Sequence, residues 1–190
     1  MVQLVNRSGP PPTPPPGGVN WEAAYREHFK AVWRFLARVG VRAADLEDVS
    51  QDVFLTAFKR DAFFDATRPV LPWLYGIAYR LAADRGRLAS TTREEPTDEL
   101  AEVAASGPTA ESAVASRQAR AMLDEVLASM DLEKRAVFVM YEFDGLPVPD
   151  IARAVDVPVP TAHSRLRLAR QQFDAGIQRL RAKVHHDPRA

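Results

Sequence analysis

Four prolines, Pro147, Pro149, Pro158 and Pro160, constrain the last third of this chain more than any other feature. A proline lacks an amide hydrogen, so it is tolerated only before a helix or within its first turn. The tract GLPVPDIARAVDVPVPTAHSRLRLAR, residues 145–170, is therefore cut into two helical pieces. A short helix is predicted over residues 149–155, with Ile151, Ala152 and Val155 on one apolar face. A tight turn at 156–158 follows. The next helix starts near 159 and carries Ala162, Leu166, Ala169 and Phe173 inward at helical spacing. Thr161, His163, Ser164, Arg165, Arg167 and Arg170 are left facing outward. This is the pattern of a helix-turn-helix, in which hydroxyls and guanidinium forks on the second helix meet phosphates or base edges in a major groove. An ordinary solvated basic face has the same composition, so the motif by itself leaves both readings open.

Composition narrows the field. The 190 residues allow one or two small domains, with 46% hydrophobic and 26% charged residues in the ordinary globular range. Twenty-five basic and twenty-five acidic residues cancel, so nucleic-acid binding requires segregated charge. From residue 159 onward Arg165, Arg167, Arg170, Arg179, Arg181, Lys183 and Arg189 face only Asp174 and Asp187, which makes that end locally basic. There is no cysteine, which excludes disulfides, thiolate metal sites and cysteine nucleophiles. No apolar run approaches the roughly 20 residues that span a bilayer, and no signal-peptide core stands at the N-terminus; the expected location is cytoplasmic. His28, His163, His185 and His186 are scattered or terminal, and neither metal-ligand spacing nor a phosphate-binding glycine loop occurs. No catalytic residue, metal or cofactor is expected.

No segment sustains strand alternation, so the expected fold is all-helical. Residues 1–18 contain SGPPPTPPPGG, an extended arm or, alternatively, a ligand for a proline-binding module. Asn20 is a suitable N-cap for a helix ending before Gly40, with Tyr25, Phe29, Val32 and Leu36 as its inward stripe. A second helix over 44–60 has Leu46, Val49, Val53 and Ala57 inside, and Asp45, Glu47, Asp48, Gln51 and Asp52 on an acidic side. Carboxylates at a helix start also favour the dipole, so that face is either electrostatic trim or a docking surface.

The loop DAFFDATRPVLP, residues 61–72, leads into a helix over 72–87 with Leu74, Ile77, Ala78 and Leu81 inward. Trp73, Tyr79, Arg80, Asp84, Arg85 and Arg87 are left partly accessible; rings interleaved with arginines suit single-stranded nucleic acid, although Trp73 also reads as core. Residues 89–108 are small, acidic and proline-containing, as in a linker. Beyond them, Thr109 caps a helix running to about 129 with Val114, Ala121, Val126 and Leu127 inward. Asp131 caps another running to about 143 with Ala136, Val137, Met140 and Tyr141 inward.

Taken together, the two halves resemble the extracytoplasmic-function (ECF) group of the bacterial sigma-70 family, two-domain factors that direct RNA polymerase to promoters. DLEDVSQDVFLTAFKR at 45–60 resembles the family's polymerase-binding helix, RPVLPWLYGIAYRLAADRGR at 68–87 its promoter-melting helix, and the tract 131–170 its helix-turn-helix. The resemblance implies a domain at 19–88 for core polymerase and the minus-10 element, a flexible linker at 89–108, a minus-35-binding domain at 109–184 and a tail at 185–190.

By the same resemblance Asp48, Gln51, Asp52 and Phe58 dock on the clamp helices of the polymerase beta-prime subunit. Phe63, Phe64 and Asp65 capture a flipped minus-10 base, with Tyr79, Arg80, Asp84 and Arg87 along the adjoining helix. Thr161, His163, Ser164, Arg165, Arg167 and Arg170 face the minus-35 element. An anti-sigma protein is the implied regulator. The chain departs from the family pattern at Tyr79 and Arg80, where an arginine and an asparagine are usual. It departs again at Pro147, Pro149 and Pro160, whose missing amides cannot bind phosphate. A stand-alone helix-turn-helix regulator is the alternative from the residues themselves.

Overall fold

The computed structural model describes the backbone of residues 19–91 and 110–186, and the side chains of 19–86 and 118–182. The proline-rich arm, the Thr109 cap and most of the expected linker lie outside the described residues, as do the side chains of Arg87, Val114, Lys183, His185 and His186. Seven α-helices and two short 3-10 turns make up the described part, in two helical domains.

The first domain is α1 (Trp21–Val39), α2 (Leu46–Lys59) and α3 (Val70–Thr91), with 3-10 turns at Ala43–Asp45 and Asp61–Phe63. Asn20 caps α1 by accepting from the Ala23 amide at 3.0 Å. Gly40 ends it at φ 99°, with Val41 N donating to Leu36 O and Gly40 N to Ala37 O, the paired bonds of a Schellman turn. Val32, Phe35, Leu36, Val49, Val53, Leu74 and Ile77 form the interior between the three helices, where the Phe35 and Tyr75 rings stack at 4.6 Å.

Two expectations need correction here. Tyr25 is 39% exposed instead of inward: it sits at the edge of the stripe, its ring leaning on Phe29 and Phe54 at 4.9 Å each. Helix α3 also begins two residues before Pro72, because first-turn amides have no intrahelical acceptor and a proline there loses nothing. Its far end reaches Thr91, so the first residues of the expected linker are helical.

The second domain comprises α4 (Ala110–Ala128), α5 (Leu132–Glu142), α6 (Val148–Ala154) and α7 (Val159–His186). Asp131 caps α5 by accepting from Lys134 N at 2.9 Å. Ala121 is exposed, contrary to expectation; the buried stripe of α4 runs through Val126 and Leu127 with Met122 and Leu123 beside it, and Ala121 falls one position off it. Between α6 and α7, Val157 N donates to Ala152 O and Asp156 N to Arg153 O, a second Schellman turn, with Asp156 at φ 54°. Asp is one of the few side chains that visits this left-handed region readily. The turn sets α7 across α6, burying Ile151, Ala162, Leu166 and Ala169 together. Leucine- or isoleucine-sized truncations in such a core cost about 2–5 kcal/mol.

The two domains are not held apart. α1 packs on α4 and α5, α3 packs on α6, and the buried side chains of both halves form one continuous cluster.

Candidate nucleic-acid and polymerase interfaces

Three surfaces gather the residues singled out by sequence. On α2, Asp48, Gln51, Asp52 and Phe58 all lie exposed, and Phe58 keeps 61% of its area in solvent. Sequence reasoning missed a fifth member: Leu55, 54% exposed one turn before Phe58. A leucine standing off the apolar stripe of an otherwise well-patterned helix was the available signal. Together they make a face with carboxylates at its N-terminal end and two unpartnered apolar side chains toward its C-terminal end. Asp52 is partly engaged, since Arg85 of α3 reaches it at 3.4 Å and Asp45 at 3.7 Å.

The loop before α3 separates its two phenylalanines. Phe63 is 85% exposed, whereas Phe64 turns inward onto Trp73 at 4.9 Å and Trp21 at 6.3 Å. Trp21 and Trp73 contact each other at 5.6 Å, and Trp21 Nε1 donates to Asp61 at 3.0 Å. Trp73 thus belongs to an aromatic cluster under the loop. Asp65 braces the loop from within: its carboxylate accepts from Thr67 Oγ1 at 2.6 Å and Thr67 N at 3.1 Å, and Arg68 pairs with it at 2.9 Å. These bonds, the threonine's first, lower its affinity for a proton. The result is one ring presented outward on a rigid base.

Along α3, Arg80 lines a cleft with Phe63, Phe64, Arg68 and Trp73 on one side and Asp150, Arg153 and Ala154 of the second domain on the other. Its side chain is exposed, though the cleft walls desolvate part of it; that desolvation, reinforced by Arg60 and opposed by Asp156, weakens its hold on the proton. Tyr79 is half-buried; desolvation holds its proton on, and Glu133 acts in the same sense while Arg165 opposes it. Asp84 is exposed to solvent on the same helix. The backbone of Arg87 continues α3.

On α7 the structure divides the expected readers into two groups. His163, Ser164 and Arg167 are exposed. Thr161 and Arg165 are half-buried, and Arg165 forms an ion pair with Glu133. Arg170 is exposed, bonded to Glu142 at 2.6 Å and lying over the Tyr141 ring at 4.8 Å; the bond to Glu142 holds its proton more firmly. Arg167 is therefore the most available cation on the outer face.

Among the described residues no helix is long and apolar enough to cross a membrane, and no group of three or more His, Cys, Asp or Glu side chains is arranged to hold a metal ion.

Comparison with known proteins bears on the two domains that carry these surfaces. The family model described as Sigma-70 region 2 matches residues 24–92, and that described as Sigma-70, region 4 matches residues 120–173. Characterised relatives include the ECF RNA polymerase sigma factor SigL of Mycobacterium tuberculosis, 29% identical over 160 residues covering 83% of this chain and 89% of the relative. The RNA polymerase sigma factor NccH of Alcaligenes xylosoxydans xylosoxydans is 27% identical, covering 80% and 84%. The ECF RNA polymerase sigma-E factor of Escherichia coli is 28% identical, covering 74% and 78%. Among solved structures, CnrH in complex with the cytosolic domain of CnrY superposes with a TM-score of 0.63 at 22% identity, over 83% of this chain and 87% of that one. The sigma factor RpoE in complex with the anti-sigma factor NepR from Bartonella quintana gives 0.65 at 16% identity, over 84% and 97%. At these identities the superpositions speak to the fold.

Proposed function

The chain belongs to the extracytoplasmic-function group of the sigma-70 family, and we propose that it binds core RNA polymerase, directs it to promoters and initiates transcription through contacts made by both domains. The observation that carries this reading is the presence, on one chain and in family order, of the α2 face, the aromatic loop and the helix-turn-helix. A stand-alone regulator needs only the last of these.

Each surface takes a role suited to its chemistry. The α2 face, with Asp48, Gln51 and Asp52 beside Leu55 and Phe58, docks on the clamp helices of the beta-prime subunit. Exposed apolar side chains ringed by charge are a common interface core, and carboxylates steer the approach of a basic partner. At the loop, Phe63 supplies a stacking plane for an unstacked minus-10 base, and Arg80 supplies charge for the strand beside it. Phe64 and Asp65 act one step back: the first seats the loop on Trp73, the second fixes its backbone. Tyr79, Asp84 and Arg87 extend the surface along α3. On α7, Arg167, His163 and Ser164 meet the minus-35 duplex directly, while Thr161, Arg165 and Arg170 lie at the margins of the contact. An anti-sigma protein is the expected regulator, as in the solved complex of RpoE with the anti-sigma factor NepR, with which the fold aligns.

The test is run-off transcription with bacterial core polymerase, with and without this protein, on a pool of promoter fragments from its source genome. Protein-dependent transcripts, accompanied by comigration with core, are the expected result. No transcript and no comigration, with duplex binding retained, would move the assignment to a stand-alone regulator.

A further inference from the structure

The helix-turn-helix carries four arginines, and three of them are tied to carboxylates of their own domain. Arg153 pairs with Asp150 inside α6, Arg165 with Glu133 at the start of α5, and Arg170 with Glu142 at its end. The pairs are not alike. The Arg165 side chain is only 19% exposed, and Glu133 lies in the first turn of α5, where a carboxylate already favours the helix dipole. Glu142 is the reverse case. It is the last residue of α5, where the dipole disfavours negative charge, and it accepts from Arg170 Nε at 2.6 Å. The guanidinium also lies over the Tyr141 ring at 4.8 Å, so it is held at one edge and on one face. Both members of this pair reach solvent, and a surface ion pair contributes little to the fold. Stability therefore does not account for a carboxylate at this end of α5. What Glu142 touches does: Arg170 stands one turn beyond the exposed Arg167 on α7, within reach of the backbone of any duplex that Arg167 meets.

We infer that the Glu142 carboxylate is a built-in stand-in for a DNA phosphate, occupying the Nε edge of Arg170 and holding down the sequence-independent affinity of α7 for duplex DNA. The inference rests on the functional reading of α7 given above. Its physical basis is counterion release. An arginine that neutralises a phosphate frees about 0.9 of a condensed cation, which makes binding salt-dependent. An arginine that must first leave a carboxylate gains less, because the bared carboxylate collects a cation in turn and the net release is close to zero. Arg167 then supplies most of the phosphate-driven affinity of the outer face, and contacts of His163 and Ser164 to base edges make up a larger share of the remainder. A promoter factor held weakly by random duplex stays available to polymerase.

Binding of the full-length chain to a fluorescein-labelled, random-sequence duplex, followed by anisotropy across a salt series, tests this. Glu142→Gln keeps the shape of the side chain and removes its charge. It should tighten binding severalfold at low salt and steepen the slope of log affinity against log salt by about one. Arg170→Ala should change little in the wild-type background, yet should cancel the whole gain when added to Glu142→Gln. A damaged fold does not produce tighter binding, and thermal melts followed by circular dichroism verify that each variant is folded. Unchanged affinity in Glu142→Gln would overturn the inference. So would a gain that survives Arg170→Ala, since Glu142 would then act by plain repulsion of the duplex. Arg167→Ala, measured alongside, separates this inference from the reading beneath it. If Arg167→Ala weakens binding while Glu142→Gln changes nothing, only the phosphate stand-in fails; if neither changes anything, α7 is not the duplex-facing helix and both fail.

Discussion

The two surfaces proposed to face promoter DNA differ in how open they are. On α7, His163, Ser164 and Arg167 stand in solvent, where a duplex could reach them without any rearrangement. On α3, Tyr79 is half-buried against the second domain, and Arg80, itself exposed, stands at the rim of a cleft that the second domain helps to wall. The chemistry differs as well: α7 offers charge and hydroxyls, which bind phosphate without deforming the DNA, whereas the loop offers a ring, which is useful only once a base has left the stack. On the proposed reading, the loop needs an unstacked base and α7 does not, so binding of duplex DNA by the free chain says nothing about whether the other reader is available.

Removing the ring should separate the two surfaces most clearly. Base stacking on an aromatic contributes about 1–3 kcal/mol, so Phe63→Ala should lower open-complex formation by the polymerase-bound chain about tenfold or more. Duplex affinity and the melting temperature should be unchanged, because Phe63 is almost fully exposed. Equal loss in both DNA assays would erase the distinction between the surfaces.

The next effect concerns what aims α7. Asp156 holds a left-handed conformation at φ 54°, which costs most L-residues about 1–2 kcal/mol. Asp156→Val, which adds β-branching at that position, should destabilise the helix-turn-helix by about that amount, seen as a lower denaturant midpoint with weakened duplex binding. Asp156→Gly should retain both.

Arg167→Ala probes the open face itself. It should weaken duplex binding severalfold and reduce the slope of log affinity against log salt by about one. Arg170→Ala should do less, since that guanidinium is already bonded to Glu142. The reverse order would mean that α7 is presented to DNA from a different side.

The smallest expected effect is a pH dependence of stability. Asp144 lies at the domain seam, where burial raises its affinity for a proton; Arg38 and Arg34 oppose the shift. Burial likewise keeps the Tyr75 hydroxyl protonated. Asp144 and Tyr75 are in close electrostatic contact, but Tyr75 Oη and Asp144 Oδ2 are both buried without a bond of good geometry. The folded chain therefore holds a proton at Asp144 that the unfolded chain gives up sooner, and stability weakens as pH rises from about 4, the ordinary carboxylate range, through the raised value. Asp144→Asn should keep at neutral pH the denaturant midpoint that wild type shows best in mild acid. A midpoint in the Asn variant no higher than that of wild type at pH 7 would contradict this reading of Asp144.

Much of this molecule was legible in its residues, and what was not has a common cause. Caps are local chemistry, so Asn20, Gly40 and Asp131 announced the ends of α1 and the start of α5. The prolines around α6 and α7 located the helix-turn-helix to within a residue. Exposure at the edge of a stripe, as for Tyr25 and Ala121, depends on which neighbours arrive, and spacing along one helix cannot supply that. The seam between the domains was the least legible feature. Gly76 and Gly86 are both glycines inside α3, yet only Gly76 meets a neighbouring backbone, while a Cβ on Gly86 would find open space. Nothing along α5 singles out Arg135, because its three carbonyl partners come from α1, the end of α4 and the turn after it. The separation of Phe63 from Phe64 was invisible for the same reason, since Trp21 and Trp73 decide which ring is held.

The most direct measurement is photocrosslinking within the complete complex of core polymerase, this protein and promoter DNA. A photoreactive phenylalanine at position 63 is expected to label the non-template strand of the melted minus-10 region. The same group at position 167 is expected to label duplex DNA near minus-35. Adducts at both places establish one chain reading two elements; adducts at neither, in a complex that still contains polymerase, would contradict it.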